Sequence, residues 1–361
     1  MNALAAILAD QIRANGPMSV ADYMGVCLGH AAHGYYMKQV PFGREGDFTT
    51  APEISQVFGE LIGLHFADVW LRAGAPNPVQ LVELGPGRGT LMADILRATK
   101  AVPGFHAALS VTFVEMSPVL RREQKARVPH AQWADRLADI PAGQPLLLVA
   151  NEFFDALPAR QLVKTARGWQ ERHVALEGER FVPVVPDDAP LLDALVPAAL
   201  RNAPEGSFYE LLGGAEDAAL LNQRLSQDGG AALIIDYGHA RHSLGDTLQA
   251  MRAHAFADPF EAPGDADLTV HVDFEQIIER AGQGLRVLGP VGQGRFLRAL
   301  GLDIRTAVLA KSNPPKAEAL VTASRRLADS DQMGALFKVL SLSSSAWPAP
   351  AGLAPAGLDQ A

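Results

Sequence analysis

A cluster of glycines with a carboxylate beside it follows an apolar segment of the chain. Gly85, Gly87 and Gly89 come directly after residues 79–84, and Glu83 precedes the first glycine by two positions. A strand that ends in such a turn lets a ligand approach bare backbone at the carboxyl edge of a parallel sheet. Dinucleotides and S-adenosylmethionine are the two ligand classes that use this geometry.

The side chains around the glycines favour S-adenosylmethionine. A dinucleotide fingerprint has glycine at position 90, where this chain has Thr90, and Glu83 would repel a pyrophosphate. S-adenosylmethionine has no phosphate and carries an ammonium and a sulfonium, so a carboxylate beside the loop attracts it. The structural alternative is an ordinary tight turn with solvated acids.

Acids also follow the next two predicted strands. Glu115 stands thirty positions after Gly85, where its carboxylate can accept both ribose hydroxyls of either ligand. Asp135 ends the third strand, and we predict that it bonds the adenine amine while a neighbouring side chain packs against the ring. An exposed loop acid is the alternative for Asp135. The cofactor residues predicted from this pattern are Glu83, Gly85, Gly87, Gly89, Glu115, Met116 and Asp135.

A second polar loop, from Asn151 to Pro158, follows the fourth predicted strand. Open parallel sheets bind ligands at this edge, and the loop contains Glu152 and Asp155. If the methyl acceptor is a guanidinium, with a pKa above about 12, carboxylates are needed to hold its planar fork and to localise charge away from the attacking nitrogen. The sequence therefore predicts Glu152, Asp155 and Asn151 as the catalytic residues.

The same loop has simpler interpretations. Asn151 and Asp155 are common turn formers, and Phe153 and Phe154 suit a hydrophobic core as well as a wall that excludes water. Methyl transfer is an in-line displacement, so positioning supplies most of the acceleration. No nucleophilic side chain is required of the enzyme.

Two pairs of polar residues near the end of another apolar segment do not predict a metal site. His239 and His242 are three positions apart, and His271 and Asp273 are two apart, but neither pair has a third ligand at a convincing spacing. Hydrogen-bonded structural histidines are expected. Asp236 begins the group 236–239, which ends an apolar segment, and His271 and Asp273 belong to the group 267–274. Either of these two groups can border the acceptor pocket.

From Val79 onward, apolar segments alternate with helical ones. Strands are predicted at 79–84, 109–115 and 146–150, with helices near 90–99 and from Ser117, which indicates an α/β fold with a parallel sheet. Beyond Asn151 the order is less regular, which predicts insertions. The predicted domains are a helical N-terminal cap at 1–75, a sheet domain at 76–340 with insertions around 160–215 and 240–272, and a flexible tail at 341–361.

The N-terminal cap contains a glycine- and aromatic-rich loop from His33 to Phe48. Thr50 and Glu53 after it have the spacing of a capping box, which predicts that a long helix begins there. Ile54, Val57 and Phe58 continue at helical spacing. The break at residues 76–78, where two prolines flank an asparagine, ends that helix.

Composition limits the partners and the compartment. The 31 basic and 40 acidic residues give a net charge of −9, which disfavours nucleic acid and suits a basic protein segment better. Cys27 is the single cysteine, so no intrachain disulfide forms and a reducing compartment fits. Residues 1–16 are too polar for secretion or membrane insertion. We expect a bacterial cytoplasm, or the mitochondrial matrix if the source is a eukaryote.

Four stretches of the chain together resemble the MidA-like methyltransferases. They are spread along the chain and the likeness extends from about residue 16 to about residue 300, so it is far more specific than one glycine loop. The stretches are 47–60, Val82–Thr90, Asn151–Arg160 and 235–274, the last with Gly245–Ala250 and His271–Phe274.

The resemblance implies a class I methyltransferase, a Rossmann-like parallel sheet with a helical N-terminal extension and α+β insertions. It implies that S-adenosyl-L-methionine is held by Gly85, Gly87 and Glu115. It also suggests that Thr49, Thr50 and Glu53 lie near the cofactor.

The activity associated with this family is the methylation of a protein arginine in a respiratory complex I subunit. The expected partner is therefore a protein substrate. Both a monomer and a homodimer are compatible with the sequence. Glu152 and Asp155, three positions apart, depart from the paired-glutamate hairpin of ordinary arginine methyltransferases. Two alternatives remain: an assembly or chaperone protein that binds the cofactor with little catalysis, and an NAD-dependent dehydrogenase, which Glu83 and Thr90 disfavour.

Overall fold

The computed structural model describes residues 2–38 and 49–353, which form two compact units. Unit 1 comprises residues 2–38, Phe154–Ala215 and Arg241–Gln276. Unit 2 comprises residues 49–153, Glu216–Ala240 and 277–353. Among the described helices, none is long and apolar enough to cross a membrane.

The helices and strands of the described residues alternate through much of the chain. The helices are α1 (Ala3–Asn15), α2 (Val20–Gly29), α3 (Tyr35–Lys38), α4 (Ala51–Ile54), α5 (Gln56–Arg72), α6 (Thr90–Thr99), α7 (Phe105–Ala108), α8 (Pro118–Arg127), α9 (Ala215–Asp228), α10 (Phe274–Ala281), α11 (Gln293–Ala299), α12 (Leu302–Ser312), α13 (Ala317–Ala328) and α14 (Met333–Leu336). The strands are β1 (Met18–Ser19), β2 (Val79–Leu84), β3 (Leu109–Val114), β4 (Gln132–Ala134), β5 (Leu146–Asn151), β6 (Arg160–Thr165), β7 (Gly168–Glu171), β8 (His173–Glu177), β9 (Arg180–Val184), β10 (Phe208–Leu211), β11 (Gly230–His239), β12 (Gln249–Arg252), β13 (Ala255–Ala257), β14 (Asp267–Thr269), β15 (Val272–Asp273), β16 (Leu285–Gly292) and β17 (Phe337–Ser344).

Unit 2 is built on a mostly parallel sheet with the strand order β16-β17-β11-β5-β2-β3-β4. Five neighbouring strands of this sheet are parallel to one another: β4, β3, β2, β5 and β11. β17 is antiparallel to both β11 and β16. The α/β fold predicted from the sequence is confirmed.

The strand order reverses between β2 and β5. The chain moves from β2 to β3 and β4 on one side, whereas β5 and β11 follow on the other side. Leu84 pairs with Ala150, so the residues that follow these two strands emerge side by side. In open parallel sheets the crevice outside such a reversal is where ligands bind.

Burial explains why these strands form the centre of unit 2. Every residue of β2 and of β5 is buried, as expected for parallel strands covered on both faces. Phe58, Phe66 and Trp70 on α5 pack in the same core as Ile95 on α6. This core fixes the carboxyl ends of β2 and β5.

Unit 1 contains three small sheets and a separate core. Their strand orders are β1-β8-β9, β10-β6-β7 and β13-β12-β14. Leu8 and Tyr23, from α1 and α2, are buried in one core with Val174 and Leu268. The segments predicted as insertions, 160–215 and 240–272, correspond to two of the three segments of this unit.

The long helix predicted to begin at Thr50 is wrong in one respect. The short α4 ends at Ser55, which is extended with φ −154° and ψ 130°, and the Ser55 hydroxyl accepts the N–H of Val57 at 3.3 Å at the start of α5. Thr50 makes no side-chain capping bond. Glu53 does not complete a capping box, because its carboxylate accepts the hydroxyl of Thr90 instead. These residues belong to unit 2, so the predicted cap at 1–75 is divided after residue 48.

The flexible tail predicted from residue 341 is wrong for its first residues. Residues 341–344 lie in β17, where Ser341 is 1% and Ser343 0% exposed; residues 341–343 pair with β11, and Ser344 pairs with β16. Residues 354–361 of the predicted tail and residues 39–48 of the predicted N-terminal loop lie outside the described part of the chain.

Candidate cofactor and acceptor site

The glycine loop after β2 has a backbone that requires glycine. Gly85, Gly87 and Gly89 have φ of +59°, +51° and +79°, in the left-handed region that side chains with a Cβ rarely adopt. A Cβ at Gly85 would also lie 2.9 Å from Cδ2 of Phe153, a residue of the loop after β5. The two predicted loops are therefore in direct contact, and Gly89 caps the start of α6.

Gln124 connects the glycine loop to the ends of the next two strands. Its side chain is fully buried; Nε2 donates to the carbonyl of Gly87 at 2.8 Å and to Oε2 of Glu115 at 3.1 Å, and Oε1 accepts from Nε1 of Trp133 at 2.8 Å. Gln124 is not among the residues predicted from the sequence. A signal exists, because Gln124 is four positions after the buried Leu120 on α8 and so shares its inward face.

Glu115 directly follows β3, and its carboxylate is partly buried and held in place. Oε1 accepts the backbone N–H of Ser117 at 2.7 Å, in addition to the bond from Gln124. Burial raises the pKa of Glu115 to about 6, although the bonds from Ser117 and Gln124 oppose that shift. The carboxylate is thus oriented and ionises close to neutral pH.

Glu83 is buried rather than exposed beside the loop. It is 3% exposed, and the backbone of Met92, in the first turn of α6, hydrogen-bonds to its carboxyl group. Burial raises its pKa well above the ordinary value, and that bond only partly opposes the shift. The neutral form is favoured, so Glu83 does not present to a ligand the charge that the sequence suggested.

Glu53 reaches the glycine loop from α4. Its Oε1 accepts the hydroxyl of Thr90 at 2.6 Å, and its Oε2 lies 3.6 Å from Nη1 of Arg88. Thr49 and Thr50 directly precede α4 and are partly exposed. The structure therefore brings Glu53 to the glycine loop, and its place near the cofactor stays a prediction.

Met116 and Asp135 follow β3 and β4 and are accessible to a ligand. Met116 is 57% exposed, which is unusual for a large apolar side chain. The carboxylate of Asp135 accepts from Nη2 of Arg121 at 2.6 Å, and Arg121 also donates to the carbonyl of Glu115. Asp135 is an exposed, ion-paired loop acid, and its bond to adenine stays a prediction.

The acceptor loop begins with Asn151 and a strained Glu152. Glu152 has φ +51°, a conformation that non-glycine residues adopt at an energetic cost and that clusters at functional sites. Its Oε1 accepts the N–H of Ala51 at 3.2 Å and Nδ2 of Asn151 at 3.1 Å. The carboxamide of Asn151 and the carboxylate of Glu152 are thereby held at the crevice beside Gly85.

A buried carboxylate anchors this loop. Asp236 is fully buried on β11, and its two oxygens accept the backbone N–H groups of Phe153 at 3.2 Å and Tyr237 at 2.9 Å. Glu152 donates its own N–H to the carbonyl of Ile235 at 2.9 Å. Asp236, which the sequence placed at the border of the acceptor pocket, therefore positions the acceptor loop through its backbone.

Asp155 and Phe154 lie in unit 1, whereas Asn151 and Glu152 lie in unit 2. Asp155 is 5% exposed, and its negative charge contributes, after burial and the charge of Asp267, to raising the pKa of Tyr36. The hydroxyl of Tyr36 donates to Oδ1 of Asp267 at 2.8 Å. Phe154 is a core residue at 2% exposure.

The second predicted polar cluster in unit 1 is hydrogen-bonded internally. Nδ1 of His242 lies 2.9 Å from Oδ2 of Asp273, and the N–H of His242 donates to Oε2 of Glu275 at 2.9 Å. No group of three histidine, cysteine or acidic side chains suited to a metal ion occurs among residues 2–38 and 49–353. His242 has the structural role expected from the sequence.

The groups around the glycine loop fit a nucleoside ligand that also carries hydrogen-bond donors. Oε2 of Glu83 and Oδ1 of Asn151 are buried and have no partner in the described part of the chain. Buried polar groups are bonded in most folded proteins, so the amide oxygen of Asn151 suits a ligand with N–H or O–H groups, and the neutral carboxyl of Glu83 can accept from or donate to a ligand. Glu115 offers a fixed carboxylate, and Met116 an exposed apolar side chain. S-adenosylmethionine meets all of these requirements.

Known proteins with similar sequences and structures are methyltransferases and their relatives. Mitochondrial protein arginine methyltransferase NDUFAF7 of Homo sapiens is 36% identical over 92% of this chain and 81% of its own, and the Drosophila melanogaster homolog is 37% identical over 93% and 84%. A crystal structure of a Burkholderia thailandensis protein bound to S-adenosyl-homocysteine superimposes with a TM-score of 0.81 at 28% identity, covering 97% of this chain and 94% of that one. Residues 61–291 match the model of a family of S-adenosyl-L-methionine-dependent methyltransferases. The chain belongs to this family, and its cofactor is S-adenosylmethionine.

Proposed function

We propose that this protein transfers a methyl group from S-adenosylmethionine to an arginine side chain of a protein substrate. The observation that carries the proposal is the carboxylate of Glu152, fixed in a left-handed backbone conformation beside the glycine loop. The names of the relatives, which are protein arginine methyltransferases, support the same acceptor. The net charge of −9 suits a basic substrate segment.

The nucleoside of the cofactor is assigned to the ends of β2, β3 and β4. Glu115 accepts the ribose hydroxyls, Met116 packs against the adenine, and Asp135 bonds the adenine amine. Gly85, Gly87 and Gly89 leave room for the ligand along the loop. Gln124 bonds to both Gly87 and Glu115 and so holds the loop and the carboxylate in fixed positions relative to each other. Thr49, Thr50 and Glu53 approach from the segment before α5. When bound, S-adenosylmethionine supplies an electrophilic methyl group on a sulfonium.

The acceptor guanidinium is assigned to the loop after β5. The carboxylate of Glu152 pairs with the planar fork and keeps positive charge away from the attacking nitrogen. Asn151 orients Glu152 through its Nδ2 group and offers Oδ1 to an N–H of the substrate. Asp155 stays a sequence-based candidate for a second carboxylate. The chain's residues therefore act by binding and orienting, as expected for an in-line displacement.

The physiological substrate that we propose is a subunit of respiratory complex I, as in the MidA-like family. The relatives compared above are named as mitochondrial proteins. For a bacterial source we propose the cytoplasm, which is the compartment where a complex I subunit would be synthesised. The single cysteine, Cys27, is buried and is consistent with a reducing environment.

Glu152→Gln tests the proposed chemistry. Glutamine keeps the Oε1 acceptor for Ala51 and Asn151 but removes the charge that holds a guanidinium. Purified variants are incubated with isotopically labelled S-adenosylmethionine and extract from cells lacking the gene, and methylarginine is measured by mass spectrometry. We expect a loss of at least about 100-fold with unchanged S-adenosyl-homocysteine affinity, because charge-assisted pairing of the acceptor is removed. Glu177→Gln, at an exposed position on β8, is the matched control.

The same variant separates the enzyme from an assembly protein that only holds a partner. The −9 charge is compatible with both functions. In a strain lacking the gene, an enzyme requires Glu152 for complementation. Full complementation by Glu152→Gln, with no methylarginine formed, would reject the enzymatic function in favour of the assembly function.

A further inference from the structure

The negative charge of this protein is concentrated in unit 1. The described residues of that unit include 18 acidic and 10 basic side chains, whereas those of unit 2 include 19 acidic and 20 basic ones. A surface of this charge attracts basic partners from a distance. In such an acidic unit a positive side chain readily finds a carboxylate, so one that has no partner is informative.

Most basic side chains of unit 1 are bonded within the unit. Six have a nitrogen within 3.7 Å of a carboxylate oxygen and two donate to a backbone carbonyl: Arg13, Lys38, Arg160, Lys164, Arg172 and Arg241, then Arg167 and Arg201. The side chains of Arg180 and Arg252 have neither an ion pair nor a hydrogen bond among the described residues. Their guanidinium donors are therefore available to a ligand.

These two arginines line the same cavity, which has a volume of about 640 Å³. The rings of Phe181 and Phe260 form part of its wall, and the first turn of α1 borders it at Asn2. The N-terminus of a helix adds partial positive charge. Binding pockets have volumes of about 300–1,000 Å³, so the cavity is large enough for several side chains of a ligand.

Two hairpin turns hold the arginines at this cavity. Arg252 ends β12, and the turn that follows consists of Ala253 and His254, with φ of +50° and +62°. Non-glycine residues adopt this left-handed conformation at an energetic cost, which is concentrated at functional sites. Arg180 begins β9 directly after the two-residue turn that ends β8. Both guanidinium groups are thus presented from short, defined turns.

Acidic side chains share the cavity with the two arginines. Four of them line it: Glu179, Asp258, Glu261 and Asp265. Asp265 is ion-paired with Lys38, whereas Glu179 and Glu261 are exposed. Because the acids outnumber the arginines, a small free anion is disfavoured here. A ligand that complements the lining has a carboxylate together with positive groups.

We propose that this cavity docks a segment of the protein substrate in which one acidic side chain lies among basic residues. The guanidinium forks of Arg180 and Arg252 bind the acidic side chain, and the surrounding acids receive its basic neighbours. The charge of unit 1 attracts the segment, and the two arginines select it. The inference rests on the proposed function, because it takes the occupant to be the protein that is methylated.

Two labelled peptides with blocked termini, Lys-Lys-Glu-Lys-Lys and Lys-Lys-Gln-Lys-Lys, test the selection by fluorescence anisotropy on the full chain at low ionic strength. General attraction to an acidic surface favours the glutamine peptide, which has the higher positive charge. Docking at the two arginines predicts the opposite order, with the glutamate peptide bound about threefold to tenfold more tightly.

The double variant with Arg180→Gln and Arg252→Gln should reverse this preference, since only the general attraction remains. Glu261→Gln should weaken both peptides, because both have lysines next to the central residue. Preference of the parent protein for the glutamine peptide would overturn the proposal. So would a preference for glutamate that persists in the double variant.

Methylation of the substrate provides the second measurement. The variants act on a dilution series of extract from cells lacking the gene, and methylarginine is quantified by mass spectrometry. For the double variant we expect the extract concentration at half-maximal rate to rise about threefold to tenfold, with an unchanged maximal rate and S-adenosyl-homocysteine affinity. Arg13→Gln is the matched control, because Arg13 is exposed in the same unit but pairs with Asp10 on α1.

The methylation measurement separates this inference from the proposed function. If the parent protein forms no methylarginine, the proposed function fails and the assignment of the occupant fails with it. If methylarginine forms and the double variant matches Arg13→Gln at every dilution, the inference fails while the proposed function stands. Arg180 and Arg252 are exposed, so their replacement should leave the midpoint of chemical denaturation unchanged.

Discussion

A buried polar cluster around Glu210 in unit 1 is closed by bonds among its own members, whereas three buried groups around the glycine loop in unit 2 each have an atom without a partner among the described residues. In unit 1, Glu210 accepts from Nε2 of Gln161 at 2.7 Å, from the N–H of Thr247 at 3.0 Å and from the Thr247 hydroxyl. In unit 2, Oε2 of Glu83, Nε of Arg88 and Oδ1 of Asn151 have no partner among the described residues. All three belong to the ends of β2 and β5 or to the loop that follows.

The difference shows where the fold is complete without a ligand and where it is not. A satisfied network such as that of Glu210 stabilises a structure. Unsatisfied buried groups destabilise a protein unless a ligand supplies their partners. Such atoms also occur elsewhere in unit 2, for example Oε1 of Gln293 on α11, so they support the cofactor site only together with their position at the ends of β2 and β5. The comparison predicts that substitutions around the glycine loop change cofactor affinity, whereas those in the Glu210 cluster change mainly stability.

The largest effect is expected for Gly85→Ala. The new Cβ would lie 2.9 Å from the ring of Phe153, which blocks the contact between the two loops. We expect the affinity for S-adenosyl-homocysteine to fall at least about 100-fold, measured by calorimetry. Gly74→Ala is the matched control, because Gly74 also has positive φ but no atom within 4 Å of a Cβ. Equal affinities in the two variants would show that the loop does not bind the cofactor.

A smaller loss of affinity is expected for Gln124→Leu. The substitution removes the bonds to Gly87, Glu115 and Trp133, and each unpaired buried partner costs about 1–3 kcal/mol. We expect lower stability in chemical denaturation and an affinity about tenfold lower.

Gln80→Leu is the control for Gln124→Leu. Gln80 is also buried and bonds Pro141 and Arg224, away from the glycine loop. It should lose stability without losing affinity. If both variants bind the cofactor equally well, Gln124 has only a structural role.

Glu115 predicts a dependence of binding on pH. Its pKa is raised to about 6 from 4.5, and ribose hydroxyls donate to the ionised form, so affinity should rise with pH up to about 6 and then level off. At pH 5 we expect affinity about tenfold below that at pH 7, since roughly a tenth of the groups are ionised. Glu115→Gln should remove this dependence. A profile that is the same in the variant would assign it to another group.

The same shift has the opposite sign for folding. Between pH 4.5 and about 6 the folded state binds more protons at Glu115 than the unfolded state does. This carboxyl group therefore lowers the free energy of unfolding as pH rises through that window. Denaturation of the ligand-free protein should show the contribution disappear in Glu115→Gln.

The smallest effect on affinity is expected for Glu210→Gln in unit 1. The amide places a donor where the Thr247 N–H, the Thr247 hydroxyl and Gln161 all donate. We expect a loss of about 1–3 kcal/mol in the free energy of unfolding and no change in S-adenosyl-homocysteine affinity. A loss of affinity as large as that of Gln124→Leu would remove the distinction between the two units.

Local sequence patterns predicted those helices and strands whose apolar spacing and turn residues lie within or next to the element itself. The predicted strand at 79–84 and helix at 90–99 match β2 and α6, because an apolar segment, a glycine loop and an amphipathic segment follow one another without interruption. The break at Ser55 was not predicted, since the partner of Glu53 is Thr90, 37 positions later. Long-range contacts of this kind leave no trace in a local capping pattern.

The end of the chain shows a different limit. A run of serines after residue 340 resembles a polar tail, yet Ser341 and Ser343 are buried in β17. A small polar side chain is compatible with both environments, and the sheet register decides between them. Pairing with β11 cannot be read from the serines themselves.

For the candidate site, the sequence predicted which residues lie at the strand ends better than it predicted their burial, protonation and hydrogen bonds. Glu115 lies where it was expected, but the burial of Glu83 and the bonds of Gln124 depend on the packing of α6 and α8. Arg88 was not distinguished from any other charged loop residue. Its significance comes from the absence of hydrogen bonds to the described residues, which only coordinates reveal.

The most direct test of protein arginine methylation is quantitative mass spectrometry of methylated peptides from cells with and without the gene. The account predicts that one or a few arginine methylation sites disappear in the deletion strain. They should return with the parent protein and not with Glu152→Gln. An unchanged set of methylarginine peptides, or the loss of methylation on another residue type alone, would contradict the account.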